Sequence, residues 1–381
     1  MKIIIAPNAF KDSLSAIEAA EAMAEGVLAA VPEANIELVP VADGGDGLTE
    51  IVLKALDGQQ VKANVTDPLG RPIEAQFCYL PDKKTAIIEM AEASGLRLLR
   101  STERNPMLTT TLGTGQMILS ALDLGAKRIL VGLGGSATND GGLGMAVALG
   151  AAFLDDNSRK IGPIGKNLSL ISNVDLSNMD ARVAQTTFEA ICDVRNPLFG
   201  KDGAAYVYGP QKGASAEQVE KLDAGLRNLA DILRKSANLD VSKLESAGAA
   251  GGSGMGLHAF FGAKLRPGVD IVLDLVNLDD ALENADLVLT GEGQIDWQTA
   301  FGKAPAGVAQ AAKRHKVPCL ALAGSIGKNV EELYKVGITA VFSICQGPVP
   351  LEQALKHAHQ NLAKTTQQVV RSYLSGCASL A

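Results

Sequence analysis

The chain of 381 residues, 47% hydrophobic and 20% charged, is that of a globular protein long enough for roughly two or three domains. A net charge of -7 with no run of five or more Lys or Arg excludes nucleic acid and anionic membranes as principal partners. No apolar stretch approaches the ~18 residues of a membrane span. The four-residue apolar run before Pro7 is too short for a signal peptide, so a cytoplasmic location is expected.

The N-terminal segment reads β-α-β. "KIIIA" (2–6) is a short buried strand, and a helix begins at about Ala16 with Ser15 and Glu18 spaced as a capping box. "IELVPVA" (36–42) follows as a second strand, ending at "DGGDG". The next stretch has a different grain. A hairpin is expected around "DPLGRP", with a further extended run in "TAIIEM" (85–90). Near the C-terminus the first rhythm returns, with strands in "DLVLTG" (286–291), "PCLALAG" (318–324) and "ITAVFSI" (338–344) and a closing helix over 351–374. Both chain ends therefore build one α/β domain (1–60 and 284–381), with a second inserted at 61–283.

Between these elements the loops carry the chemistry. "GLGGSATNDGGLG" (132–144) holds six glycines in thirteen positions directly after the apolar "RILV". Such a cluster allows backbone N–H groups to approach a phosphate, or serves a tight packed turn. Gly132, Gly134 and Ala137 also fit the dinucleotide pattern G-x-G-x-x-A, with Asp155 near the place of a ribose-binding acid. The glycines continue where such a fold should already be helical, which weighs against a nicotinamide oxidoreductase. A second loop, "GAAGGSGMG" (248–256), repeats the composition. No Walker A spacing occurs, since "TAFGKA" and "GSIGKN" both miss it.

Lys11, Lys212 and Lys303 lie in loops beside Gly, Asp or Gln, where a lysine can neutralise phosphate. Asp43, Asp46, Asp193, Glu292 and Asp296 lie at loop positions past strands, suited to Mg²⁺, to proton transfer or to capping a turn. The four histidines are scattered and form no zinc pattern. Cys78, Cys192, Cys319, Cys345 and Cys377 are odd in number and dispersed, as expected for free thiols of a reducing compartment.

Taken in order, "APNAFKDSLSA", "PVADGGDG", "GGSATNDGG", "CDVRNPLFG", "GPQKGAS", "GAAGGSGMG" and "LVLTGEGQIDWQTAFGKAPAGVA" resemble the type 1 glycerate kinases almost end to end. The chain departs from many relatives at Asn8 (often Asp), Asp46 (often Glu) and Gln294 (often Arg). The resemblance implies a flavodoxin-like α/β domain from both chain ends with a second α/β domain inserted. The implied activity is phosphorylation of D-glycerate by ATP with Mg²⁺, giving 2-phosphoglycerate, with 3-phosphoglycerate as the alternative product. An oxidoreductase and a non-catalytic anion sensor are the remoter alternatives.

On this reading the amides of Gly134, Gly135 and Ser136, and of Gly251, Gly252 and Ser253, cradle phosphate or carboxylate. Lys11, Lys212 and Lys303 supply cations. Asp43, Asp46 and Asp193 face Mg²⁺ or the substrate hydroxyls, with Asp43 and Asp46 as the metal ligands of first choice, and Asp296 is the base, in a cleft expected between the domains.

Overall fold

The computed structural model describes residues 1–43, 48–345 and 347–378. Met1–Leu56 and Pro267–Ala381 form one unit, and Asp57–Arg266 forms the other. In the first unit five parallel strands lie in the order Ile338–Ser343, Cys319–Ile326, Leu287–Ile295, Lys2–Ile5, Asn35–Leu38. Numbered along this unit's own chain the order is 2-1-3-4-5, which is that of a flavodoxin-like sheet. Ile3 is the pivot, paired to Leu287 on one side and to Ile36 on the other. Its strand is buried because helices cover both faces of such a sheet.

The helix Ala16–Ala30 starts at the expected capping box. The Glu18 N–H donates to Ser15 Oγ at 3.3 Å, and the Ser15 N–H to Glu18 Oε2 at 2.8 Å. Met23 and Val27 on its inner face join Ile3, Leu289, Leu322 and Leu362 in one core. The closing segment differs from the single helix expected. It is two helices, Leu351–Lys356 and Ala358–Ala378, broken at His357, whose ψ of 15° leaves the helical range.

The second unit is a six-stranded mixed sheet in the order Lys264–Arg266, Thr187–Ile191, Arg128–Gly132, Thr85–Glu89, Pro72–Leu80, Gln59–Thr66. Its first four strands are parallel, and the hairpin adds the two antiparallel ones. Asp67 shapes the hairpin turn by accepting the N–H groups of Leu69 and Arg71, both at 2.9 Å.

The division between units corrects the expected boundary at 284. Residues 267–283 belong with the chain ends because their helix Gly268–Leu275 packs on Ala304–His315. There an added Cβ at Gly307 would lie 2.8 Å from Val269. Asp279 also pairs with Arg314 and His315 of that helix. Among the described residues no helix is long and apolar enough to cross a membrane.

Candidate active site

In the inserted unit the strand Arg128–Gly132 ends on the first glycine of the long loop. The loop then turns back on residues 94–96: the Leu96 N–H donates to the Gly135 carbonyl, and the Ala137 N–H to the Ser94 carbonyl, each at 2.8 Å. Gly135 sits at φ +68°, a backbone state that a side chain resists. Gly134 and Gly135 remain exposed, whereas Ser136 through Asp140 are buried.

Lys212 enters this loop from the short turn Pro210–Lys212. Its Nζ donates to Ser136 Oγ at 2.8 Å and to the Thr138 carbonyl at 2.7 Å, and the side chain is only 2% exposed. Burial lowers its pKa to about 7, although Asp140 pulls the other way. Asp140 is the loop's anchor. Its carboxylate accepts the N–H groups of Thr111, Gly142 and Gly144 and the Thr111 hydroxyl, at 2.8 to 3.2 Å. Burial pushes its own pKa up against those donors. Between these anchors, Thr138 Oγ1 and both amide atoms of Asn139 are buried without a hydrogen-bond partner. Thr138, Asn139 and Asp140 are not among the residues expected from the sequence, although three polar residues inside a glycine run are a signal for them.

The second glycine loop does something different from what was expected. Gly251, Gly252 and Ser253 are fully buried, and the Ser253 hydroxyl donates to the Ala250 carbonyl at 2.9 Å. Ala250, Gly251 and Gly252 all have positive φ, and the Gly141 N–H donates to the Gly251 carbonyl at 3.0 Å. This turn is packed directly beneath the first loop. Its glycines permit that approach, so it is a support and not a second phosphate cradle.

In the unit built from the chain ends, the strand Leu287–Ile295 is longer than expected and carries Glu292 within it. Glu292 is 6% exposed. Its Oε1 accepts the Thr299 hydroxyl at 2.7 Å and lies 3.9 Å from Lys303 Nζ. Burial raises its pKa to about 7, Thr299 and Lys303 pull it down, and Asp43 and Asp296 add repulsion. The sequence pattern puts this acid in a loop, yet the apolar Ile295 resuming beyond the "GEG" fits the longer strand observed.

Asp296 is the N-cap of the turn Trp297–Ala300, accepting the Gln298 N–H at 2.8 Å. Asp43 accepts the Ala304 N–H at 2.6 Å and so caps the helix Ala304–His315. Lys303 immediately precedes that helix, half-exposed. Lys11 is exposed on the loop after the first strand, where its backbone nitrogen would lie 3.0 Å from a Cβ added at Gly293. Asp193 is exposed just past the strand Thr187–Ile191 in the other unit. Asp46 lies outside the described residues.

The dinucleotide reading does not survive. After Gly132 no helix starts until Leu143–Ala148, so there is no helix N-terminus at the glycine turn. Asp155 instead closes a local turn by accepting the N–H groups of Asn157 and Arg159.

A lysine held inside a glycine loop, and a buried carboxyl beside a second lysine at the carboxyl edge of a parallel sheet, suit an α/β phosphotransferase without a Walker A loop. Comparison with known proteins agrees. The glycerate kinase family matches residues 3–374. The glycerate kinase of Bacillus subtilis (strain 168) is 48% identical over 372 residues, 98% of this chain and 97% of that protein. The glycerate 2-kinase of Escherichia coli (strain K12) is 43% identical over 376 residues, 99% of each chain. A crystal structure from Salmonella typhimurium LT2, of a protein assigned as glycerate kinase 2, superposes with a TM-score of 0.87 at 44% identity, covering 99% of each chain. The chain belongs to the glycerate kinase family. It is a kinase, which sets aside the oxidoreductase and the non-catalytic sensor.

Proposed function

We propose that the protein transfers the γ-phosphoryl group of ATP to D-glycerate with Mg²⁺ and gives 2-phosphoglycerate. The observation that carries this reading is Lys212, buried with Nζ between Ser136 Oγ and the Thr138 carbonyl, beneath two exposed glycines. That arrangement supports an anion site in which amides of Gly134, Gly135 and Ser136 meet phosphate or carboxylate oxygens and Lys212 fixes the loop's shape. The Thr138 hydroxyl and the Asn139 amide lie buried without a partner just beneath this exposed stretch.

The Asp43 carboxylate is a hard oxygen donor of the kind that suits Mg²⁺, which in kinases is held largely by phosphate with one or two carboxylates. Asp43 and Asp46 would supply the protein ligands. When bound, the ion neutralises charge on the transferring group. Lys11 and Lys303 supply further positive charge to the same end.

The choice of the 2-hydroxyl rests on likeness to the E. coli protein named glycerate 2-kinase. A reducing, cytoplasmic setting is in keeping with Cys78, Cys192 and Cys319, which are buried cysteines dispersed along the chain. ³¹P NMR of a reaction with ATP, Mg²⁺ and D-glycerate is expected to show 2-phosphoglycerate and ADP. A 3-phosphoglycerate signal overturns the regiochemistry, and no transfer overturns the function.

A further inference from the structure

Two buried carboxyls in this protein are treated in opposite ways. Asp140 is saturated, with four donors on its two oxygens. Glu292 receives one hydroxyl, that of Thr299, among the described residues, and its nearest cation stands 3.9 Å away. A structural carboxylate is normally held by several donors, because leaving its lone pairs unfilled in a buried site costs stability. The difference therefore calls for a reason.

Place in the fold supplies one. In open parallel sheets ligands bind beyond the carboxyl ends of the strands, at the point where the strand order reverses. Here that point lies between Lys2–Ile5 and Leu287–Ile295, the strands ordered 1 and 3 in this unit. Glu292 sits near the carboxyl end of the second of these. The loop leaving the first reaches the same place, with Lys11 beside Gly293. The charged groups acting on Glu292 are Lys303, which favours its ionised form, and Asp43 and Asp296, which oppose it; Thr299 donates to it.

We propose that Glu292 is a catalytic residue that takes the proton of the acceptor hydroxyl, held by the positioning residue Thr299 and steered by Lys303. This rests on the kinase reading above. In the step, the acceptor O–H bond breaks and its proton passes to the Glu292 carboxylate. The hydroxyl oxygen bonds to the γ-phosphorus of a nucleoside triphosphate. The bond from that phosphorus to the β,γ-bridging oxygen breaks, and its electron pair leaves on the nucleoside diphosphate. No group is oxidised or reduced. With a pKa brought to about 7 by burial, the carboxyl can both accept and release this proton near neutral pH.

The test is steady-state kinetics at saturating ATP and Mg²⁺ across pH 5.5–9, with wild type, Glu292→Gln, Glu292→Asp and Asp296→Asn compared. Wild-type kcat is expected to rise with pH through about 7. Glu292→Gln should lower kcat by ~10²- to 10⁴-fold, leave KM for glycerate within about threefold, and abolish that rise. Glu292→Asp should keep the rise at reduced kcat, and it decides the matter if the Gln variant does not fold. A Glu292→Gln kcat within threefold of wild type overturns the proposal. Recovery of that variant at high Mg²⁺ or with Mn²⁺ also overturns it, as does transfer of the loss and the pH effect to Asp296→Asn. If wild type phosphorylates no glycerate, the proposed function itself is overturned, and the role of Glu292 in that reaction falls with it.

Discussion

A Cβ added at Gly134 would meet nothing within 4 Å, whereas one at Gly251 would stand 2.0 Å from the Thr138 carbonyl oxygen. Both glycines lie in loops of the same unit, in stretches of nearly the same composition. In the first, bare backbone faces solvent and is open to an anion. In the second, bare backbone lets one loop lie against another. The second supports the first: Gly251 abuts residues 138 and 139, and its carbonyl accepts the Gly141 N–H. Glycine richness alone therefore does not mark a ligand site. What distinguishes the two loops is which face of the backbone is left uncovered.

The largest expected effect follows from closing the covered loop. Gly251→Ala adds a methyl group at φ +70° and against a carbonyl. Left-handed strain and overpacking together should cost about 3 kcal/mol or more. A scanning melt should then show Tm falling by roughly 10 °C in a unit of this size. An unchanged Tm would mean that the turn can move away from residues 138–141, and the distinction between the loops would collapse.

Next in size is Lys212→Met, which removes the cation that ties Ser136 to Thr138. kcat/KM should fall by about 10²- to 10³-fold, the scale of losing one preorganised charged donor. Tm at pH 7 should change by only a few degrees, because an apolar isostere in place of a buried charge is often neutral.

The pH dependence of stability sharpens the point. Free lysine titrates near 10.5 and folded Lys212 near 7, so between these values the unfolded chain binds more protons than the folded chain. The contribution of Lys212 to stability thus rises with pH across that window, and the penalty is complete below about 7. Lys212→Met should flatten that part of the Tm profile. A slope equal to that of wild type would show that Lys212 titrates normally in the folded protein.

Smallest is Gly134→Val, a substitution into open space. Tm should stay within about 2 °C of wild type, while the Kd for ATP measured by calorimetry rises about tenfold, or ~1.4 kcal/mol. Unchanged ATP binding with unchanged Tm would remove this loop from nucleotide recognition.

Much of this protein was legible along the chain. The Ser15/Glu18 capping box, the Asp67 hairpin turn and the alternation of short apolar strands with helices all arise from neighbours in sequence, and the structure keeps them. The seven motif blocks were sufficient to place the chain in its family, because order and spacing of that kind are read directly from residues. The reading erred where long-range contacts decide. Residues 267–283 have no local mark showing which unit they join; their packing on Ala304–His315 assigns them.

What the sequence determined by itself was the inventory: which loops carry lysines, acids and bare backbone, and which strands flank them. Tertiary structure decided which of those groups lose water. Lys212 and Glu292 read like any loop lysine or acid, yet each is buried by elements distant in sequence, and each has its pKa moved to about 7. Desolvation depends on every atom packed around a group, and most of those atoms belong to residues far along the chain. Periodicity and motif spacing record only near neighbours. For that reason the chemistry these two side chains can perform became visible only in the folded protein.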